Sequence, residues 1–231
     1  MRITYDGLRS FAYSNDKLIT GAPRGIAVCF SGLGCAAVHD VDTDEGTALA
    51  RDGIIYLIPY HDPWAWGNGT CVGLADEAIA ALTGKYGDLP VCSTGGSMGG
   101  QGALVFCRYS KSRIVSCVVN CPVCDTVYHL TERPDLPRTM YAAFAGSGDF
   151  ERELRARSPY HIAEEMPRIP YTVFHCEEDR AVNIAAHSDR FVDKMKSIGH
   201  NVKYIKIPGR GHCDLPEDVR REYFDAIGAS F

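Results

Sequence analysis

Six short apolar runs recur along the chain, and each is bounded by residues that favour turns. Runs of this length with such boundaries are typical of buried strands. We predict strands at residues 25–30, 54–60, 88–93, 113–120, 170–175 and 202–207.

Amphipathic segments lie between these predicted strands. Apolar residues within 75–82 follow the i, i+3, i+4, i+7 spacing of one helical face. A second helical face later in the chain consists of Ile184, Ser188, Phe191, Met195 and Ile198. Gly199 follows it, and glycine often follows a helix C-terminus. Residues 214–217 (Asp-Leu-Pro-Glu) predict a capping box with the proline inside the first turn of a last helix.

The alternation of strands with helices indicates a mostly parallel sheet covered by helices on both faces. We therefore assign the chain to the α/β class, as a single domain over residues 1–231. Residues 2–14 are better explained by an antiparallel edge strand or hairpin. Residues 122–166 are richer in charge and proline, and we expect them to form a lid or cap insertion over the carboxyl edge of the sheet.

The composition is that of an ordinary globular protein. Of the 231 residues, 45% are hydrophobic and 23% are charged, which argues against disorder, collagen and coiled coil. A net charge of −5 without a basic cluster gives no indication of nucleic-acid binding. We find no signal peptide and no apolar run approaching the roughly 18 residues of a spanning helix, so we expect a cytoplasmic protein with no membrane partner.

The ten cysteines are spread thinly along the chain, and several lie inside apolar runs, as Cys29, Cys92 and Cys117 do. A free cysteine at such a position behaves as a small buried hydrophobe. We therefore expect reduced thiols rather than a disulfide framework.

The sharpest chemical signal is Gly95-Gly96-Ser97-Met98-Gly99-Gly100, which follows a predicted strand and precedes a helix-compatible run. It fits the G-x-S-x-G pattern, in which a tight turn exposes the serine hydroxyl and glycines allow close packing. The following helix N-terminus favours developing negative charge. Ser97 is therefore a candidate nucleophile. The alternative is a glycine-rich turn between strand and helix in which the serine has no catalytic role.

A serine nucleophile needs a histidine base held by a carboxylate, in the chain order Ser, acid, His for this architecture. His212 follows the last predicted strand and Asp179 follows the preceding one, so both belong to the sheet edge that carries Ser97. Glu177, Glu178 and Asp125 are rivals for the acid. The remaining histidines are expected to be structural or solvated, except that His39 and His61 are positioned to line the pocket.

An oxyanion intermediate needs two N–H donors. The N–H of Met98, directly after the candidate nucleophile, is expected to be one of them. The second is expected from the loop 31–35, with Leu33 as first choice and Gly34 as second.

These motifs together resemble an α/β-hydrolase, and within that superfamily the catalytic domain of the prolyl oligopeptidase (S9-like) group. The resemblance runs from about residue 24 to the end and rests on residues 95–100, 158–159, 175–182, 199–202 and 209–212. It implies Ser97 as nucleophile, Asp179 as acid and His212 as base, with no metal or organic cofactor.

The chain departs from that group in two ways. Ser31-Gly32 stands where the group often has His-Gly, which leaves the second oxyanion donor open between Leu33 and Gly34. A chain of 231 residues also leaves no room for the group's large N-terminal propeller. Stand-alone catalytic domains more often resemble small-acyl esterases or dienelactone-hydrolase-like enzymes.

Three other interpretations compete with a hydrolase. Residues 32–37 match the dinucleotide-binding pattern G-x-G-x-x-A, but the acidic residue expected at the end of the next strand is displaced to Asp62. Cys121-Pro-Val-Cys124 resembles a zinc or redox motif without a second ligand pair. A hydrolase scaffold can also lose activity and only bind ligands.

The sequence therefore predicts a serine hydrolase that cleaves a carboxylic ester of a small or aromatic acyl group, with a peptidase or amidase acting on short peptides as the alternative. We expect Gly34, Trp64 and Trp66 to contact the substrate, a small-molecule ester or short peptide. Aromatic side chains of the insertion are further candidates for the acyl pocket or for lid packing: Tyr128, Tyr141 and Phe144.

Overall fold

Seven strands form one sheet within residues 2–231, which the computed structural model describes. Their order across the sheet is β1-β3-β2-β4-β5-β6-β7, and only β1 runs antiparallel, against β3. The strands are β1 Ala12–Ser14, β2 Gly25–Phe30, β3 Ile54–Pro59, β4 Val91–Gly96, β5 Ile114–Asn120, β6 Tyr171–Cys176 and β7 Val202–Ile207. The α/β-hydrolase fold predicted from the sequence is confirmed.

Helices cover both faces of this sheet because side chains along each strand alternate between the faces. Ile55 and Leu57 contact the core beneath α2, α3 and α7, whereas Ile54 and Tyr56 contact the core beneath α1 and α8. The α-helices are α1 Asp44–Arg51, α2 Gly69–Tyr86, α3 Met98–Tyr109, α4 Thr126–Glu132, α5 Leu136–Phe144, α6 Phe150–Ala156, α7 Arg190–Ser197 and α8 Glu217–Gly228.

The predicted strands agree with the observed ones to within one residue at each end, except at two places. β4 begins at Val91 rather than at residue 88, because Pro90 has no N–H for the ladder, and it continues to Gly96. The N-terminal segment forms the single short edge strand β1 paired with β3, so the hairpin alternative is wrong.

Two helix predictions are corrected by the structure. The capping box at 214–217 is wrong, because Pro216 itself is the N-cap of α8 and Asp214 pairs with Arg210 instead. The amphipathic face that ends at Ile198 begins with a π-helical turn, Ala185–Asp189, and continues as α7. Gly199 follows with φ of 84°, as expected after a helix.

Residues 122–166 carry the three helices α4, α5 and α6 in place of a strand-helix repeat. Their apolar side chains form a separate cluster with residues from the turn at Trp66, from Met98 at the start of α3 and from Val182 after β6. These three helices therefore pack at the carboxyl edge of the sheet.

All ten cysteines, which lie within residues 2–231, have free thiols. Among the helices of the same residues, none combines the length and the apolar character needed to cross a membrane.

The turn between β4 and α3 is possible only because glycines allow close approach to β2. A Cβ added to Gly99 would overlap the backbone carbonyl of Phe30, and one added to Gly95 would overlap the carbonyl of Gly99. Both neighbours are backbone atoms of packed elements, so neither can move aside cheaply.

We predict that Gly99→Ala destabilises the fold by at least about 3 kcal/mol, because overpacking against fixed backbone exceeds ordinary core strain. Urea unfolding followed by circular dichroism measures this change. Gly73→Ala is the matched control, since Gly73 lies in α2 with open space around its Cα, and it should be neutral or stabilising by about 0.5–1 kcal/mol. Equal unfolding midpoints for the two variants would contradict the prediction.

Candidate active site

Ser97 lies in a strained turn between β4 and α3. Its φ of 58° and ψ of −126° fall in a region that residues with side chains rarely adopt. The turn is held from both sides, because the Ser97 N–H donates to the Asn120 carbonyl at 3.0 Å and the Ser97 carbonyl accepts from the Gln101 N–H at 3.1 Å. This geometry directs the hydroxyl away from the backbone at the carboxyl edge of the sheet.

The loops after β6 and β7 bring two further side chains to Ser97. His212 Nε2 lies 2.9 Å from Ser97 Oγ, and His212 Nδ1 lies 2.6 Å from Asp179 Oδ2. Because an ionised carboxylate only accepts, Nδ1 carries the imidazole proton and Nε2 accepts from the serine hydroxyl. A proton can therefore pass from Ser97 Oγ to His212.

The Asp179 carboxylate is buried and fully hydrogen-bonded. Its Oδ1 accepts from the N–H groups of Ala181 at 2.8 Å and Val182 at 2.9 Å. Its Oδ2 faces both His212 and His175, whose Nε2 lies 3.4 Å away. Burial by itself would raise the pKa of Asp179, but the hydrogen bonds from His175 and His212 outweigh it and hold that pKa far below its usual range.

The Asp179 charge has the opposite effect on His212. Burial lowers the pKa of the imidazole, but the hydrogen bond and the negative charge of Asp179 raise it by more, so that the pKa lies above the ordinary value of 6.5. His212 is thus a stronger base than a free histidine while remaining able to give up its proton near neutral pH.

The other acids considered from the sequence lie elsewhere. Glu177 and Glu178 are exposed, and Asp125 caps α4 by accepting from the Tyr128 N–H at 3.0 Å. Asp179 is the acid whose carboxylate meets His212.

Two backbone N–H groups remain candidates for binding an oxyanion. The N–H of Met98 belongs to the first turn of α3, where helix geometry leaves it without an intrahelical carbonyl. Leu33 lines the same cleft as Ser97. The N–H of Gly34 donates to the Pro63 carbonyl at 2.9 Å, so Gly34 is not available as the second donor.

His61 supports this loop rather than lining the cleft. Its Nε2 accepts from the Ser31 N–H at 3.1 Å, and its Nδ1 donates to the Asp62 carbonyl at 2.9 Å. His39 packs against the rings of Tyr13 and Tyr60, away from Ser97. Neither histidine contributes to the walls of the cleft.

The cleft over Ser97 has a volume of about 470 Å³. Its walls are formed by Gly32, Leu33, Trp66, Gly96, Ser97, His129, Arg133, Val182, His212 and Cys213. A larger groove of about 710 Å³ runs along α2 and contains none of the three residues Ser97, Asp179 and His212, so we place the chemistry in the smaller cleft.

The structure separates the residues predicted to contact substrate. Trp66 lines the cleft and is fixed by a hydrogen bond from its Nε1 to Thr139 Oγ1 at 3.0 Å. Trp64 lies outside the cleft, half-exposed beneath the guanidinium of Arg138, and Gly34 also lies outside it. The lining of the cleft therefore gives no support to the substrate contacts predicted for Trp64 and Gly34.

The aromatic residues of the insertion do not line the cleft. Phe144 is buried in the cluster that packs the insertion onto the sheet edge. Tyr141 is 63% exposed and packs against Phe150, whereas Tyr128 packs against His187.

A buried group of two histidines and a carboxylate, which was not predicted from the sequence, borders the cleft. His187 Nδ1 accepts from the N–H groups of Cys124 and Asp125, so its Nε2 donates to Glu132 Oε2 at 2.9 Å. His129 Nδ1 lies 2.5 Å from the same oxygen, and His129 lines the cleft. A histidine and a glutamate spaced i, i+3 within the predicted lid were the available signal.

Three side-chain groups within residues 2–231 place metal-type ligand atoms within 4.8 Å of one another: Cys121, His212 and Cys213; Cys121, His175 and Asp179; His129, Glu132 and His187. In the last group both histidines bond to one Glu132 oxygen. These hydrogen bonds account for the arrangement without a cation.

The competing motifs have structural explanations. Residues 32–37 form a loop, and α1 begins only at Asp44, so no helix N-terminus is available for a pyrophosphate at this turn. Cys121 and Cys124 belong to different core clusters, so the two thiols of the C-x-x-C segment do not form a joint site.

Comparisons with known proteins place the chain in a family. The sequence profile of the prolyl oligopeptidase family matches residues 77–227, which is more than half of the chain. A comparison with curated protein sequences gave no match.

Solved structures share the fold at low sequence identity. A Mycobacterium tuberculosis puromycin-hydrolyzing peptidase is 19% identical with a TM-score of 0.75 over 91% of this chain, which spans only 34% of that protein. A lipase in its open form is 16% identical with a TM-score of 0.71, and the match covers 95% of this chain and 92% of the lipase. Esterase B from Lactobacillus rhamnosis is 11% identical with a TM-score of 0.69, covering 91% of this chain and 78% of the esterase.

The family profile includes the segments that build the cleft. These are β4 with the turn at Ser97, β6 with the loop at Asp179, and β7 with the loop at His212. The chain therefore belongs to the prolyl oligopeptidase family of serine hydrolases.

Proposed function

We propose that this protein hydrolyses a carboxylic ester of a small or aromatic acyl group through an acyl-enzyme on Ser97. The observation that carries the proposal is the continuous hydrogen-bonded path from Asp179 through His212 to Ser97 Oγ, with distances of 2.6 and 2.9 Å. Such a path is what a serine hydroxyl needs to act as a nucleophile.

In the first half-reaction, Ser97 Oγ attacks the ester carbonyl while His212 Nε2 takes the hydroxyl proton. Asp179 stabilises the imidazolium and holds its orientation. The N–H groups of Met98 and Leu33 bind the oxyanion, and the N-terminus of α3 adds a favourable field. His212 then protonates the departing alkoxide, which leaves as an alcohol.

In the second half-reaction, a water molecule enters where the alcohol has left. His212 Nε2 takes a proton from this water, whose oxygen attacks the acyl carbonyl on Ser97. Collapse of the second tetrahedral intermediate returns the proton to Ser97 Oγ and releases the carboxylic acid.

The walls of the cleft support the proposed substrate class. Leu33, Trp66 and Val182 present apolar surface near Ser97, and the volume of about 470 Å³ suits a compact acyl group. His129 and Arg133 supply polar groups from the insertion side. On this basis we propose that residues 122–166 form a cap over the site within a single domain.

The peptidase or amidase alternative is favoured by a different observation. The chain shares its family with peptidases, and a puromycin-hydrolyzing peptidase has the same fold. That peptidase is about three times as long as the region matched here, whereas the lipase matches over 92% of its length. The lipase comparison supports an ester as the first choice.

A fluorophosphonate probe tests the proposed nucleophile. We expect adduct formation at Ser97, located by mass mapping, and a loss of ester turnover of roughly 10⁴-fold or more in Ser97→Ala. Ser197→Ala is the control, because Ser197 is an exposed serine at the end of α7 and should label and turn over normally. A well-folded wild type that does not react would indicate a site that binds without catalysis.

The substrate class is tested by comparing two leaving groups on one acyl group. We expect kcat/KM for 4-nitrophenyl esters of acetic and benzoic acid to exceed that for the corresponding anilides. We also expect it to exceed the value for an aminoacyl anilide, the usual peptidase probe. A higher kcat/KM for the aminoacyl anilide than for either ester would reverse the order of our two candidates.

The pH dependence tests the proposed base. His212 must be neutral to accept a proton, so kcat/KM should rise with pH through a pKa above the ordinary histidine value of 6.5. In Asp179→Asn the charge that favours the imidazolium is lost, so this limb should move to lower pH while kcat falls by roughly 10⁴-fold. The control Glu178→Gln changes an exposed neighbouring carboxylate and should leave the pH limb in place. A shift of the limb in Glu178→Gln and not in Asp179→Asn would contradict the assignment of Asp179 as the acid.

A further inference from the structure

Two cysteine thiols meet beside the His212 imidazole, and a third lies next to one of them, although the three cysteines come from different segments of the chain. Cys121 directly follows β5, Cys176 is the last residue of β6, and Cys213 directly follows His212. None of these thiols has a part in the proposed hydrolysis.

The distances within this group favour a reaction between two of the thiols. The sulfurs of Cys121 and Cys213 and a ring nitrogen of His212 lie within 4.8 Å of one another. The N–H groups of Cys176 and Cys213 both point at Cys121 Sγ, each at 3.4 Å. These two donors favour negative charge on the Cys121 sulfur, but the contact with the Cys213 thiol and burial outweigh them and raise the pKa of Cys121.

The three thiols differ in access to solvent. Cys213 is partly exposed and forms part of the cleft wall, whereas Cys121 and Cys176 are completely buried. A small reagent that enters the cleft therefore meets Cys213 first. His212 Nε2 lies 3.8 Å from Cys213 Sγ, close enough to take the thiol proton as that sulfur reacts.

We propose that Cys213 and Cys121 form an oxidation site, which takes a peroxide as its substrate and closes to a disulfide that displaces His212. The oxidant supplies the two oxidising equivalents that the step requires. Formation of the disulfide does not depend on the proposed hydrolysis, but the loss of activity that it would cause rests on that proposed function.

The reaction balances in two steps. The Cys213 sulfur attacks one peroxide oxygen and the O–O bond breaks. The thiol proton passes through His212 Nε2 to the departing hydroxide, which leaves as water, and Cys213 becomes a sulfenic acid. The Cys121 sulfur then attacks the Cys213 sulfur, the S–O bond breaks, and hydroxide leaves with the Cys121 proton as a second water. Two thiols and one hydrogen peroxide thus give one disulfide and two waters.

Closure would change the geometry of the active site. A disulfide requires the two sulfurs to approach to about 2.05 Å, and we expect the new bond to draw Cys213 toward Cys121. His212 is joined to Cys213 by one peptide bond, and its 2.9 Å contact with Ser97 leaves little tolerance. A misplacement of about 1 Å at a reacting group can cost about 100-fold in rate.

Cys176 is not expected to take part in the bond. It is sealed from the cleft, and its thiol donates to the Asp214 carbonyl at 3.7 Å. An oxidant therefore has no direct route to the Cys121–Cys176 pair.

The test treats the reduced full-length protein with hydrogen peroxide in the presence of a chelator, followed by a tryptic digest without reductant. We expect residues 211–220, which contain Cys213, to be linked to the peptide that holds Cys121. Fragmentation must place the bond on Cys121, because Cys117 and Cys124 lie on the same peptide. Fluorophosphonate labelling of Ser97 should fall by at least about ten-fold and recover with dithiothreitol.

Two variants separate this site from general thiol oxidation. Cys121→Ser should show no linked peptide, and dimedone should trap the sulfenic acid on Cys213. Cys35→Ser removes an exposed thiol outside the cleft and should behave as the wild type. Inactivation with an intact Cys213 thiol would overturn the proposal, and so would a bond between Cys121 and Cys176. If the untreated wild type is not labelled at Ser97 by the fluorophosphonate, the hydrolase proposal fails. The peptide map still shows whether the disulfide between Cys121 and Cys213 forms.

Discussion

The buried carboxylate of Asp179 is the constraint on which the site depends. A charge removed from water must have its lone pairs satisfied by hydrogen bonds, and here two backbone amides and two imidazoles do so. The amides come from the loop after β6 and His212 comes from the loop after β7. One buried group therefore fixes two loops relative to each other, and with them the direction of the His212 ring.

Ser97 reaches that ring through a second constraint, the close packing of β4 and α3 against β2. The strained backbone at Ser97 persists because the glycines on either side let the turn lie directly against the Phe30 carbonyl. Strain of this kind costs of order 1–3 kcal/mol and survives only where surrounding packing over-determines it. The strain that presents the Ser97 hydroxyl to the His212 imidazole thus reduces the free energy of unfolding.

Sequence reasoning could predict Ser97, Asp179 and His212 because each follows a strand and parallel strands end at one sheet edge. It could not separate Trp64 from Trp66, which share one loop. Trp66, which has a positive φ of 44°, lines the cleft, whereas Trp64 lies outside it, and no local pattern encodes this difference. His129 was missed for the same reason, since its role depends on Glu132 and His187 meeting in three dimensions.

Placing a thiol next to the histidine has a chemical consequence that follows from the base itself. His212 Nε2 faces Ser97 Oγ at 2.9 Å and Cys213 Sγ at 3.8 Å, so one base serves two potential nucleophiles. The shorter contact favours proton transfer from Ser97 to His212 in the proposed hydrolysis, whereas sulfur is the softer nucleophile toward a peroxide oxygen. The charge of Asp179 strengthens this base against the opposing effect of burial. The geometry thus places the hydroxyl of the proposed hydrolysis and the thiol of the proposed oxidation around one imidazole.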